Sequence, residues 1–139
     1  MDFHGDGEVF DSSDFYYGHD QASGSLITTA ADLARFLEAL AAGSLVSADS
    51  LSRMQDWTAI GRERDDGRND YGLGLLRWET DRGEAFGHNG SLMGYLSEAV
   101  HFPETGATYV FLANGSDGKS DAALATKVKP AIPALLHGG

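Results

Sequence analysis

Phe86-Gly87-His88-Asn89-Gly90-Ser91-Leu92-Met93-Gly94-Tyr95 is the stretch on which the reading of the chain turns. Small and turn-prone residues surround one titratable side chain, and strand-like sequence flanks it on both sides. Glycine presents no side chain. A histidine followed two residues later by glycine therefore leaves room for a substrate backbone to approach the strand. The plainer alternative is a hairpin that carries a histidine, and His-x-Gly alone is too short to choose between them.

Working outward, the sequence before this stretch alternates with a period of two. Tyr71, Leu73 and Leu75 interleave with Gly72, Gly74 and Leu76 from Asp70 onward, which reads as a strand. Asp81-Arg82-Gly83 reads as a turn, with glycine where positive φ is wanted. On the other side, 95–102 reads as a strand, Pro103-Glu104-Thr105-Gly106 as a turn, and 107–113 as a further strand. This last run (Thr108, Tyr109, Val110, Phe111, Leu112) is apolar on both faces, the mark of a strand covered on both sides.

Helical periodicity dominates earlier in the chain. Leu33, Phe36, Leu37 and Leu40 stand at i, i+3, i+4 and i+7 and predict a helix over 29–42. Thr28 or Thr29 can cap it, Asp32 suits its first turn, and Gly43 can end it. A second helix is predicted over 48–57, capped by Ser47, with Leu51 and Met54 inward. The segment 61–69 is charged and reads as an exposed loop, 23–28 as a short strand, and 1–22 as a loop or mobile arm. A last helix is expected from Ser120 or Asp121, burying Leu124 and Val128. Pro130 and Pro133 interrupt it. Helices grouped beside an antiparallel meander of about four strands define an α+β fold. The domain boundaries are then 1–22 for the arm and 23–139 for the folded part.

Composition narrows the function classes. With 139 residues the chain is one domain long, and 42% hydrophobic residues suit a globular core. Ten basic against 21 acidic residues give a net charge of −11, which argues against nucleic acid and anionic membrane surfaces as partners. Cysteine is absent, so there is no disulfide framework, no Cys-based zinc site and no thiol nucleophile. No apolar run approaches the roughly 20 residues of a membrane span. Met1, Asp2, His4, Asp6 and Glu8 do not form a signal peptide, and the compartment is left open.

Other constellations are weaker. His88 and His101 could converge across adjacent strands near Glu98, but no close ligand spacing such as His-x-x-x-His occurs. Glu63, Asp65 and Asp66 read as a solvated face rather than a calcium loop. Gly72 and Gly74 lack the third glycine and the following helix of a dinucleotide site, and no cofactor is called for. Tyr71, Trp57, Trp78 and Phe86 read as core aromatics.

Three segments in order carry a resemblance. They are Ser23-Gly24-Ser25-Leu26-Ile27-Thr28-Thr29-Ala30-Ala31-Asp32-Leu33-Ala34-Arg35-Phe36, then Tyr71-Gly72-Leu73-Gly74, then Gly87-His88-Asn89-Gly90-Ser91. Together they resemble the serine β-lactamase-like family, which includes class C β-lactamases, D-alanyl-D-alanine carboxypeptidases and related esterases. The resemblance spans about 23–137 and matches the C-terminal part of that fold. It implies an acyl-serine hydrolase of amide, ester or β-lactam bonds. Three motifs build the family's site: Ser-x-x-Lys, Tyr-x-Asn, and Lys/His-x-Gly on a strand. His88-Asn89-Gly90 matches the third. By that match His88 would face the substrate's carboxylate or the transferred proton. Asn89 and Gly90 would line the substrate, and the Ser91 N–H would be an oxyanion donor.

The departures are as informative. No Tyr-x-Asn occurs: Tyr16, Tyr17, Tyr71, Tyr95 and Tyr109 are followed two residues on by Gly18, His19, Leu73, Ser97 and Phe111. The one Ser-x-x-Lys, Ser116-Asp117-Gly118-Lys119, follows the His-x-Gly strand instead of preceding it. Gly118 also weakens the helical turn that would bring the lysine beside the serine. The expectation is a partial site, inactive alone, whose small-molecule or peptide substrate binds only in a complete enzyme. Its 107–113 strand would pair with a separate N-terminal segment or a second copy. Two alternatives stay open. One is a non-catalytic binding or assembly module derived from the fold. The other is a small free-standing hydrolase using Ser116 or Ser91.

Overall fold

The computed structural model describes residues 21–59, 68–80, 83–92 and 94–114. Its elements in order are α1 (Gln21–Gly24), α2 (Ala30–Ala41), α3 (Ala48–Met54), β1 (Thr58–Ala59), β2 (Arg68–Tyr71), β3 (Leu76–Thr80), β4 (Gly83–Leu92), β5 (Tyr95–Phe102) and β6 (Ala107–Ala113). The described residues divide into two compact units. One comprises Thr29–His88 and Glu98–Val110, and the other holds 21–28, 89–97 and 111–114.

Both long helices begin where the sequence places their caps. The Thr29 hydroxyl accepts from the Asp32 N–H at 3.1 Å, and donates to the Asp32 carboxylate at 2.9 Å. Ser47 accepts from the Ser50 N–H at 3.2 Å. Each contact satisfies a donor that the first helical turn leaves without an intrahelical partner. Gly43, at φ 68°, carries the chain out of α2. Helix α3 stops at Met54, three residues short of the expected end. The reason is tertiary: the Met54 carbonyl accepts from the Leu73 N–H at 3.1 Å instead of continuing the helix.

Among the described residues the sheet has six strands in the order β1-β2-β3-β4-β5-β6, where the sequence suggested about four. The two additional strands are β1, of two residues, and β2, which begins inside the segment read as a charged loop. Strand β6 stands at the end of the order and not in the middle. Within the described residues its side chains are half-buried, and Leu112 is exposed. Residues 23–28 form no strand. Ser23 and Gly24 belong to α1, while Leu26 and Ile27 lie almost fully in solvent. The arm over 1–20 and the helix expected after Ser120 fall outside the described residues.

The alternation at 70–76 also resolves differently. Strand β2 ends at Tyr71, and Gly72-Leu73-Gly74-Leu75 is a turn closed by the Gly72 N–H donating to the Leu75 carbonyl at 2.8 Å. A Cβ at Gly72 would lie 1.9 Å from the Met54 oxygen, so glycine is required for the turn to sit on the end of α3.

Two apolar clusters hold the first unit. In one, Leu37 and Leu40 of α2 pack with Leu75, Phe86 and Ala99, flanked by Leu33, Leu51, Met54 and Trp57. The other joins Leu76, Trp78, Ala85, Val100 and Phe102. Trp78 and Phe86 are thus core residues as read from the sequence, whereas Tyr71 is 40% exposed. Strand β4 contributes to both clusters through neighbouring residues, Ala85 and Phe86. Gly87 follows, buried, where a Cβ would stand 2.0 Å from the Ala99 carbonyl oxygen.

The substitution Gly87→Ala is expected to destabilise the chain by about 1–3 kcal/mol, because a backbone carbonyl cannot swing aside as a flexible side chain can. Denaturant unfolding checks it, and an unchanged midpoint would refute the close approach.

Candidate functional site

Strand β3 begins at Leu76, which pairs with both Tyr71 of β2 and Gly87 of β4. His88 is therefore the first β4 residue beyond the reach of β3. The side chains of Tyr71 and His88 meet past the start of the intervening strand. The Tyr71 hydroxyl lies 3.0 Å from His88 Nε2, and the two rings stand edge to face with centroids 5.7 Å apart at 87°. Both residues are exposed. A hydroxyl and an imidazole in contact and open to solvent can hydrogen-bond to each other and to a bound molecule.

Beyond His88 the strand continues through the other predicted site residues. Asn89 is half-buried, and Gly90 and Ser91 are exposed. Among the described residues, a Cβ at Gly90 would meet only the Ser97 hydroxyl, at 2.8 Å. Gly94, at φ 93°, turns the chain from β4 into β5. Ser116 and Lys119 lie outside the described residues.

Among the described residues, His88, His101 and Glu98 do not group as a metal ion would need. His88 meets Tyr71, His101 Nδ1 lies 2.9 Å from the Thr108 hydroxyl, and Glu98 accepts from the Tyr109 hydroxyl. His101 is buried, tilted against the Phe86 ring at 5.5 Å. Burial pushes its pKa down, against the opposing pull of Glu38. Burial also pushes Tyr109 up, helped by the hydrogen bond to Glu98 and by that carboxylate's charge. Among the described residues, no three His, Asp or Glu side chains lie together as a metal ion would need. No helix among them is long and apolar enough to cross a membrane.

Sequence reasoning missed Tyr71 as a site residue. It belongs to the Tyr71-Gly72-Leu73-Gly74 segment, but its apparent period-two context placed it in the core. The signal was the pair of glycines after it, which end the strand and free the tyrosine ring to reach His88. A separate open depression of about 620 Å³ beside α2 and α3 is lined by residues such as Ala42, Gly43, Leu51 and Trp57, and includes none of these site residues.

Helices followed by an antiparallel meander, with His-x-Gly on its longest strand, make an α+β fold. Solved structures agree. A D-amino acid amidase from Ochrobactrum anthropi SV3, solved with D-phenylalanine, matches at TM-score 0.68 and 26% identity over 81% of this chain. The same enzyme with L-phenylalanine amide matches at TM-score 0.68 and 28% identity over 82% of the chain. A D-stereospecific amidohydrolase from Streptomyces sp. matches at TM-score 0.53 and 28% identity over 67%. The Beta-lactamase family model matches residues 2–131, and the chain belongs to that family. It spans 37%, 33% and 28% of the length of those three structures.

A pH dependence of stability follows from His101. Its folded form binds the proton less readily than the unfolded chain, so stability is full above the ordinary value of 6.5 and declines as pH falls below it. His101→Gln is expected to flatten that decline between about pH 7.5 and pH 5, read from denaturant midpoints. Parallel slopes for the two proteins would remove His101 as the cause.

Proposed function

We propose that this chain supplies one wall of the acyl-transfer site of a serine hydrolase, with amides as the favoured substrates. The observation that carries this reading is family membership together with His88-Asn89-Gly90 on β4, where His88 and Gly90 are exposed. The amidase activity of the similar solved structures supports the amide over the ester or β-lactam.

In the complete enzyme a serine oxygen attacks the amide carbon, and negative charge builds on the former carbonyl oxygen. The Ser91 N–H donates to that oxygen, a contribution typically worth about 3 kcal/mol in such sites. Gly90 leaves the strand open for the approach, Asn89 lines the bound substrate, and His88 meets the substrate's charged group or the proton in transit. The nucleophile and its base come from a Ser-x-x-Lys and a Tyr-x-Asn outside these 139 residues. Their absence in the family's order favours, as the second reading, a binding or assembly module that retains the wall without the chemistry.

Mass spectrometry after exposure to a serine-reactive phosphonate separates the readings. The chain alone is expected to form no adduct. Combined with a polypeptide carrying Ser-x-x-Lys and Tyr-x-Asn, it is expected to support labelling of that serine, about 10²–10³-fold slower in His88→Ala. Labelling of Ser116 or Ser91 in the chain alone would establish a free-standing enzyme instead. No labelling with any such polypeptide would favour the module.

The same reading gives β6 a partner. Among the described residues β5 is its neighbour in the sheet, and its other side is an edge onto which a further strand can add. The occupant is an N-terminal segment of the fold or a second copy of the chain. Sedimentation and amide exchange test this: a self-associating species, or protection of 107–113 on adding such a segment, is expected. A monodisperse monomer with fast-exchanging amides there in both conditions would refute it.

A further inference from the structure

The contact between Tyr71 and His88 is held from both sides by backbone that cannot easily move. Asp70, just before Tyr71, pairs with Ala59 and Arg77 in the sheet, and its carboxylate forms an ion pair with Arg77. Just after Tyr71, Gly72 and Leu73 are tied by hydrogen bonds of 2.8 Å to Leu75 and 3.1 Å to Met54. His88 follows Gly87, which is closed against the Ala99 carbonyl. Two anchored residues thus present their side chains to each other in a solvent-exposed place.

An exposed hydrogen bond adds little to folding, because water offers both groups equivalent partners. Its consequence is for the imidazole. Which ring nitrogen carries the proton is set by the bond that the other nitrogen makes. A phenol is a better donor than acceptor, because its oxygen lone pair is delocalised into the ring.

We propose that Tyr71 is a positioning residue for His88: its O–H donates to Nε2, fixing the ring edge-on to the tyrosine and keeping the neutral imidazole's proton on Nδ1. The role rests on the reading of His88 as a wall of the hydrolytic site. Tyr71 itself is not required to touch substrate. With Nε2 accepting from Tyr71, the held tautomer defines Nδ1–H as the ring's remaining polar group, a donor, where an untethered imidazole would offer a mixture of donor and acceptor.

Nitrogen-15 NMR of the full chain, at a pH where the imidazole is neutral, reads this directly. Wild-type His88 is expected to show a pyridine-like Nε2 and a pyrrole-like Nδ1. In Tyr71→Phe, which removes only the hydroxyl, the Nδ1–H to Nε2–H ratio is expected to fall about fivefold, the worth of one neutral hydrogen bond. A protonated Nε2 in the wild type, or the same ratio in both proteins, would overturn the proposal. His88→Gln reads the contact from the other side, should the first variant fold poorly. The Tyr71 Cζ resonance moves if the hydroxyl was bound to the imidazole, and an unmoved resonance counts against it. A tautomer shift without hydrolysis in any assembled form would uphold this inference while removing the hydrolytic reading.

Discussion

The site geometry depends on the close backbone approach at Gly87. The carbonyl oxygen of Ala99 occupies the space where any other residue would carry its Cβ. Ala85 and Phe86, immediately before, are sealed into the two separate apolar clusters. Three consecutive buried residues on one strand leave no freedom to slip. A shift by one position would exchange the faces of every side chain on the strand. With β4 locked in that register, His88 is the residue that emerges into solvent, one step past the last pairing with β3.

Electrostatics reinforces the same region. Arg77 on β3 forms ion pairs with Asp70, Glu79 and Glu84, which joins β2, β3 and β4 through one guanidinium. Glu79 and Glu84 are 60% and 61% exposed, so water screens most of their attraction. Asp70 is only 15% exposed, and its pairing is the one that matters. It holds the end of β2 against β3 next to Tyr71. In a chain with 21 acidic and 10 basic residues, this cation offsets a local excess of negative charge within the sheet.

Division of labour follows from these two constraints. The helices α2 and α3 cover one cluster and brace the turn after Tyr71 through the Met54 carbonyl. Reactive groups gather where covered sheet gives way to solvent. His101 and Tyr109 are titratable too, yet burial holds His101 neutral and Tyr109 protonated, each with a neighbour in the sheet. They belong to the interior of the fold, and His88 to its solvent-exposed surface.

Periodicity and capping made α2, β5 and β6 legible in the sequence, because these elements follow from local rules. Thr29 and Ser47 satisfy helix donors within three residues, and Gly106 turns a two-strand connection by its own positive φ. The histidine motif was also legible, as a spacing of residue types. The Tyr71–His88 contact was not. Those residues are 17 apart, and they meet because β3 begins at Leu76 and Gly72 folds onto α3. Likewise, a glycine in an alternating run does not reveal whether it continues a strand or ends one. Gly72 ends β2 because a carbonyl from a distant helix occupies its Cβ position. Local rules settled the starts of α2 and α3, the last two strands and the chemical character of β4. Only the tertiary structure decided which aromatic meets the histidine, since that depends on where neighbouring strands stop, and strand ends are set by packing against elements remote in the chain.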